Sequence, residues 1–232
     1  MIDSIASYGP TSGPTVPAPA VTPLLSAEQS RRRRLALAVK RLVDVAGAVS
    51  GLVVLAPLLV TIAVVVLIAE GRPILFAQQR VGLHGARFQL LKFRSMVRDA
   101  EQRYPEVAGS SDSLGACFKM ENDPRVTRLG RVLRRTSLDE LPQLWNVLLG
   151  QMSLVGPRPA PPREVDCYAD WHRRRLTMKP GITGLWQVAS RFDSHFDDRA
   201  NLDLRYIDTW SLLRDLAILV RTVPAIVACT GR

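Results

Sequence analysis

The densest run of polar and charged side chains is Arg134-Arg135-Thr136-Ser137-Leu138-Asp139-Glu140-Leu141-Pro142-Gln143-Leu144. Ser137 and Glu140 have the spacing of a capping box, in which a Ser and a Glu three residues on bond each other's backbone N–H groups where a helix starts. That structural role uses neither Asp139 nor the two arginines ahead of it. Adjacent carboxylates behind paired guanidinium groups at a helix N-terminus can receive both an anion and a divalent cation. Backbone N–H groups there favour anions, and Mg2+ takes one or two carboxylates together with phosphate oxygens. A second run is Met152-Ser153-Leu154-Val155-Gly156-Pro157-Arg158-Pro159. Two prolines hold Arg158 in stiff extended backbone, and a guanidinium fixed that way suits bidentate phosphate binding. The plainer alternative is a surface turn, because Gly-Pro marks turns generally. In Lys92-Phe93-Arg94-Ser95-Met96, an extended chain puts Lys92 and Arg94 on one face opposite Phe93. Two such cations suit a pyrophosphate, or simply form a solvated strand face.

Those residues need elements to position them. Residues 74–76 and 88–93 read as strands on either side of a Gly82/Gly85 turn. Residues 99–122 read as a polar helix and a loop. A compact α+β region covers residues 123–208, where Asp123-Pro124-Arg125 and the Gly/Pro turn at 180–187 fall. Residues 208–228 have a helical period in Trp210, Leu213, Leu216, Ala217 and Val220, with Arg214 and Arg221 sharing one face. Such a face is either a packed core helix or an interfacial amphipathic helix anchored by Trp210. Pro224 ends or kinks it. The expected class is α+β and helix-rich.

The chain has 232 residues, 47% hydrophobic, 22% charged and 6% aromatic, with a net charge of +10. That charge favours an anionic partner: nucleic acid, an anionic membrane surface or a phosphorylated substrate. Few aromatics speak against single-stranded nucleic acid, whose bases stack on rings. Cys117, Cys167 and Cys229 are widely spaced and odd in number, which suggests no disulfide framework and a reducing compartment. His84, His172 and His195 lack metal-ligand spacing.

The apolar residues are concentrated. Residues 1–30, with prolines at 10, 14, 17, 19 and 23, read as a disordered tail and carry no signal peptide. Residues 31–71 hold a basic run, Arg31 to Arg34 with Lys40 and Arg41, and then an uncharged stretch at 45–69. About 20 apolar residues span a bilayer as a helix. Pro57 interrupts this one, Gly47, Ser50 and Gly51 weaken it, and both flanks are basic. The positive-inside rule then places both ends in the cytoplasm. A spanning helix and a kinked re-entrant hairpin both remain open on these residues alone. Residues 72–232 then make up one cytoplasmic domain that carries the polar clusters.

At the quoted motifs the sequence resembles the bacterial sugar transferase family, the monotopic phosphoglycosyl transferases. The matching stretches are Lys40-Arg41 with Asp44, and residues 76–82, 92–96, 123–127, 134–146, 152–159, 180–187 and 206–215. The resemblance extends over residues 40–223. The resemblance implies a membrane-monotopic protein on the cytoplasmic face of the inner membrane. Its apolar segment would be a re-entrant helix broken at Pro57, accompanied by interfacial amphipathic helices. It implies that Asp139 and Glu140 are catalytic, with Mg2+ at the Asp. Asp139 would attack the β-phosphorus of a UDP-sugar, giving a phosphosugar–enzyme and UMP. Polyprenyl phosphate would then take the sugar phosphate, opening the assembly of an exopolysaccharide, a capsule or another glycoconjugate. Arg134 and Arg158 match the phosphate-binding arginines. Ala56 stands where relatives often have Ser, and Ala77 where many have a cation. Expected partners are UDP-sugar, polyprenyl phosphate and membrane lipid rather than nucleic acid, with a homodimer left open. Two rival classes are a basic membrane adaptor or nucleic-acid binder, and a nucleotide-sugar hydrolase using water as acceptor.

Overall fold

The structure is a computed structural model and describes residues 27–109, 120, 122–189 and 195–227. The chain divides into Met1–Leu35 and Ala36–Arg232. Most of the expected tail lies outside the described residues, as do Cys117, Cys229 and much of the loop expected before residue 122; residues 27–35 are helical. In order, the helices are α1 (Ala27–Val54), α2 (Ala56–Glu70), α3 (Tyr104–Val107), α4 (Arg128–Arg135), α5 (Gln143–Leu148), α6 (Pro162–Asp166), α7 (Asp170–Arg173), α8 (Leu185–Ala189), α9 (Phe196–Asp208) and α10 (Leu212–Val227). The strands are β1 (Leu75–Val81), β2 (Arg87–Phe93), β3 (Ser153–Val155) and β4 (Gly181–Thr183). This is the helix-rich α+β class expected.

Helices α1 and α2 are bent by 62° at Leu55. Pro57 stands in the first turn of α2. Without an N–H it cannot bond the carbonyl of Val53, and its ring crowds that carbonyl, so a straight continuation is lost here. Among the described residues no single helix is long and apolar enough to cross a membrane, whereas the bent pair passes on length and composition together.

Small residues in α1 have a packing role that the sequence reading missed. A Cβ on Gly47 would lie 2.7 Å from Leu154 Cδ1. Ala48 and Leu52 join a core with Phe88, Leu90, Leu144, Val147 and Met152. Burying a Val, Leu or Met side chain contributes about 1.5–3 kcal/mol. The inner face of α1 is therefore committed to the core built on β2 and α5, while Val49, Val53 and Val54 on its other side are exposed. Polar pins add to this contact. Arg41 donates to the Val147 and Leu148 carbonyls at the C-terminal end of α5, at 2.6 and 2.7 Å. Asp44 accepts from the Leu154 N–H and the Ser153 hydroxyl, each at 2.9 Å.

Strands β1 and β2 form an antiparallel hairpin in which Phe76 faces Lys92, Gln78 faces Leu90 and Arg80 faces Phe88. Strands β3 and β4 pair in parallel, Ser153 with Gly181 and Val155 with Thr183. The two motifs at 152–159 and 180–187 are thus one structural unit. Asp123-Pro124-Arg125 is a buried knot: Arg125 donates to both Asp123 oxygens, at 2.9 and 2.6 Å, and to the Ala100 carbonyl. Burial works against the Asp123 anion, but Arg125 prevails and holds its carboxyl below the usual range.

In α10, the stripe Leu213, Leu216 and Val220 is not the core face. Leu213 is 80% exposed, while Asp215 and Ile218 point inward. Trp210 also turns inward and donates its indole N–H to Asp215 at 3.1 Å.

Candidate active site

The chain between α4 and α5 is not the capped helix start that its spacing suggests. Ser137 takes left-handed backbone, φ 57° and ψ 16°, and its side chain makes no capping bond. The Glu140 N–H bonds the Ser137 carbonyl instead, at 3.2 Å, and Leu138–Glu140 forms a single 3-10 turn. Non-glycine residues resist this conformation. Its effect is local redirection: Asp139 enters the interior and is 4% exposed. With about three residues per 3-10 turn, neighbouring side chains diverge by about 120°.

One cation joins the two carboxylates. Lys92 Nζ of β2 lies 2.7 Å from Glu140 Oε1 and 3.8 Å from Asp139 Oδ2. Arg158 Nη1 lies 3.9 Å from the same Glu140 oxygen. Lys92, Glu140 and Arg158 open onto a cleft that Arg80, Gln143 and Gln187 also line, and Asp139 is buried next to Lys92 outside that lining. Arg134 stands behind it, with Nε donating to the Ser95 hydroxyl at 2.9 Å and its charge acting on Asp139.

Arg94 corrects the extended-face reading. It is 5% exposed and bonds the Glu70 and Gly71 carbonyls at 2.6 and 2.8 Å, with its Nε 3.5 Å from the Glu70 carboxylate. The strand ends at Phe93, so the two-residue alternation does not carry Arg94 to the side of Lys92. It secures the end of α2 rather than joining the cleft.

The two carboxyls titrate differently. Burial pushes Asp139 above its ordinary value, the Glu140 charge adds to this, and Lys92, Arg134 and Arg158 oppose it. Burial also works against the Glu140 anion, but Lys92 and Arg158 overcome it and bring that carboxyl down to about 2. Glu140 is the standing anion of the pair, and Asp139 is the one more easily protonated.

Arg80 belongs to the cleft and was missed as a site residue. Its Nη1 donates to the Pro159 carbonyl at 3.0 Å, and its charge lowers the Glu140 pKa. A signal existed: with the hairpin turn at 82–85, two-residue alternation puts Arg80 on the same sheet face as Lys92. Behind Arg158, the Gly156 N–H bonds the Thr183 carbonyl and the Gly181 N–H bonds the Pro157 carbonyl, both at 2.9 Å. A Cβ on Gly156 would sit 2.3 Å from the Lys179 carbonyl oxygen, so this approach needs glycine.

With its two carboxylates, its cations and its bent N-terminal helix pair, the chain belongs to the bacterial sugar transferase family, whose sequence profile matches residues 35–229. It is 44% identical over 196 residues to the UDP-galactose-lipid carrier transferase of Erwinia amylovora, covering 83% of this chain and 41% of that protein. It is 40% identical over 212 residues to the undecaprenyl-phosphate galactose phosphotransferase of Salmonella typhimurium, covering 90% and 44%. It is 39% identical over 196 residues to the exopolysaccharide production protein ExoY of Sinorhizobium fredii, covering 83% and 87%. The chain thus spans less than half the length of the first two and most of the third.

Proposed function

We propose that the chain is a phosphoglycosyl transferase that moves a sugar 1-phosphate from a UDP-sugar to polyprenyl phosphate, releasing UMP, at the start of exopolysaccharide or capsule assembly. The observation that carries this reading is the Asp139–Glu140 pair joined by Lys92, with Glu140, Lys92 and Arg158 lining one cleft. The names of the relatives supply the substrate class, a UDP-sugar and an undecaprenyl phosphate carrier.

In the proposed reaction an Asp139 carboxylate oxygen attacks the β-phosphorus. The bond from that phosphorus to the bridging oxygen breaks and UMP departs. A phosphate oxygen of the polyprenyl carrier then attacks the same phosphorus and frees the carboxylate. An anion approaching an anionic pyrophosphate is repelled unless fixed cations offset the charge. Lys92, Arg158 and Arg80 line the cleft, and Arg134 acts from behind Asp139. Glu140, anionic across the physiological range, holds Lys92 and Arg158 in place.

The donor set fits Mg2+: Asp139 and Glu140 offer two hard carboxylates beside a site for phosphate, and this ion usually completes its shell with phosphate oxygens and water. When bound, it would neutralise phosphate charge. The exposed apolar faces of α1, α2 and α10, the 62° bend at Pro57 and the basic flanks support a re-entrant, monotopic seat on the cytoplasmic face of the inner membrane. There the phosphate of a lipid carrier is within reach.

The test is UMP release in detergent with polyprenyl phosphate and a panel of UDP-sugars. Release that requires the lipid supports the proposal. Equal release without lipid would make the protein a hydrolase. Salt-sensitive nucleic-acid binding with no release would make it a basic adaptor.

A further inference from the structure

Arg158 is held by its backbone more firmly than its flanking prolines require. Three successive carbonyls each accept a hydrogen bond from a different part of the fold. The Pro157 carbonyl accepts from the Gly181 N–H at 2.9 Å, the Arg158 carbonyl from Arg175 Nη2 at 3.3 Å, and the Pro159 carbonyl from Arg80 Nη1 at 3.0 Å. The middle bond comes from an ion pair deep in the protein. Arg175 Nε and Nη2 both donate to Asp203 Oδ2 of α9, at 2.9 and 2.7 Å, and Nη1 donates to the Tyr168 hydroxyl. Arg175 is 7% exposed and Asp203 is fully buried. Burial pushes the Asp203 carboxyl up to about 6, against the pull of Arg175 and Arg158.

A buried ion pair is a poor device for stability alone. Desolvating both charges can cost more than their attraction returns, and well-packed apolar residues often serve as well. This pair has a second output, because Arg175 Nη2 is shared between Asp203 and the Arg158 carbonyl. We infer that Asp203 and Arg175 are positioning residues that fix the Arg158 backbone, and through it aim the Arg158 guanidinium at the cleft beside Glu140. The inference rests on the proposed role of Arg158 in binding the substrate phosphates. Neither residue touches the cleft. Their effect reaches the reaction through Arg158 alone.

A misplacement of about 1 Å in a positioning group can cost on the order of 100-fold in rate. Asp203→Asn keeps the shape of the side chain but removes the charge that holds Arg175, so kcat/KM for UMP release should fall by about 10- to 100-fold. The fall should vanish once Arg158 is gone. In the Arg158→Ala background, Asp203→Asn should change kcat/KM by less than about twofold. Where Arg158→Ala is too slow to follow, Arg158→Lys replaces it, and a clearly smaller effect of Asp203→Asn is expected there. Tyr168→Phe, which removes one Arg175 partner and leaves the ion pair, should behave the same way in milder form, and it carries the test should Asp203→Asn fail to fold. Thermal unfolding of each variant accompanies the kinetics.

Multiplicative losses, with the double variant slower than Arg158→Ala by the full factor, would show that the pair acts on the fold in general and overturn the inference. Wild-type activity with an indifferent Arg158→Ala would overturn the phosphate-binding role of Arg158 and the inference with it. No UMP release by wild type from any UDP-sugar would overturn the proposed activity itself. The three failures are distinct in the same data set.

Discussion

Lys40 Nζ of α1 lies 2.6 Å from Asp215 Oδ2 of α10, across 175 positions of sequence. The pair is almost wholly buried. Lys40 also donates to the Val155 carbonyl at 3.0 Å, and the Tyr206 hydroxyl donates to the other Asp215 oxygen at 2.6 Å. The N-terminal helix, β3 and α10 thus meet at one charge pair. Beyond Val155 the chain runs through Gly156 and Pro157 to Arg158.

Removing one partner should expose the cost of that burial. Lys40→Met leaves the Asp215 carboxylate without its counter-charge, and loss of one partner of a buried pair typically costs about 3–5 kcal/mol. Lys40→Met together with Asp215→Leu should recover a large part of the loss, since no lone charge remains. Denaturant unfolding in detergent measures both. A Lys40→Met variant as stable as wild type would mean that the pair contributes nothing.

Asp139→Asn should give a folded protein that releases no UMP and traps no phosphosugar adduct. It keeps size and most hydrogen bonding but removes the negative charge that the proposed attack requires. Wild-type protein with UDP-sugar and Mg2+ but no lipid should carry the adduct on Asp139 by mass spectrometry. An adduct mapping to another residue would reassign the nucleophile.

The acid limb of kcat/KM should follow Asp139. The proposed attack needs the carboxylate, and burial raises the pKa of this group, so activity should fall with decreasing pH at a value above the ordinary carboxylate range. Glu140, held at about 2, does not titrate in that window. Its charge is one of the causes raising Asp139, so Glu140→Gln should move the limb to lower pH, whatever it does to the maximal rate. Lys92→Met should move it upward, because Lys92 is the strongest influence pulling Asp139 down. Shifts in the opposite senses would show that another group sets the limb.

Pro57→Ala restores an N–H able to bond the Val53 carbonyl and removes the ring that crowds it. The 62° bend should relax, and under the proposed topology the population should move from re-entrant toward spanning. Cysteine labelling from both sides of the membrane, at a site near residue 30, reads the change. Periplasmic labelling of that site in the parent protein would mean that the helix already spans.

What could be read from the residues was mostly what lies close in sequence. The hairpin was legible because Gly82 and Gly85 separate two apolar runs, and the break at Pro57 because proline acts on its own turn. The Asp139-Glu140 run stood out because a cap needs no second carboxylate. Its backbone did not, since the left-handed Ser137 is a choice that the S-x-x-E spacing conceals. The fate of cations was least legible. Lys92 meets Glu140 at a separation of 48 residues, whereas Arg94, two residues on, turns to Glu70. Alternation describes a strand only while the strand lasts. The Arg175–Asp203 pair gave no signal, because no local spacing relates a 3-10 turn to the inner face of α9. In α10 the period was correct but belonged to the outer face, because periodicity does not say what a face meets.

That outer face also sets how the molecule behaves as a colloid. Leu213, Leu216, Val220 and Val223 make a strip of sticky surface on a particle whose net charge is +10. Like-charge repulsion keeps such particles apart at low ionic strength, when it reaches tens of ångströms. At about 0.15 M salt it reaches only about 8 Å, and the short-range attraction between strips is no longer opposed. Without an amphiphile to cover α10, the protein should therefore stay dispersed in dilute buffer and cluster as salt is added, with Leu213→Glu and Leu216→Glu raising the salt concentration at which clustering begins.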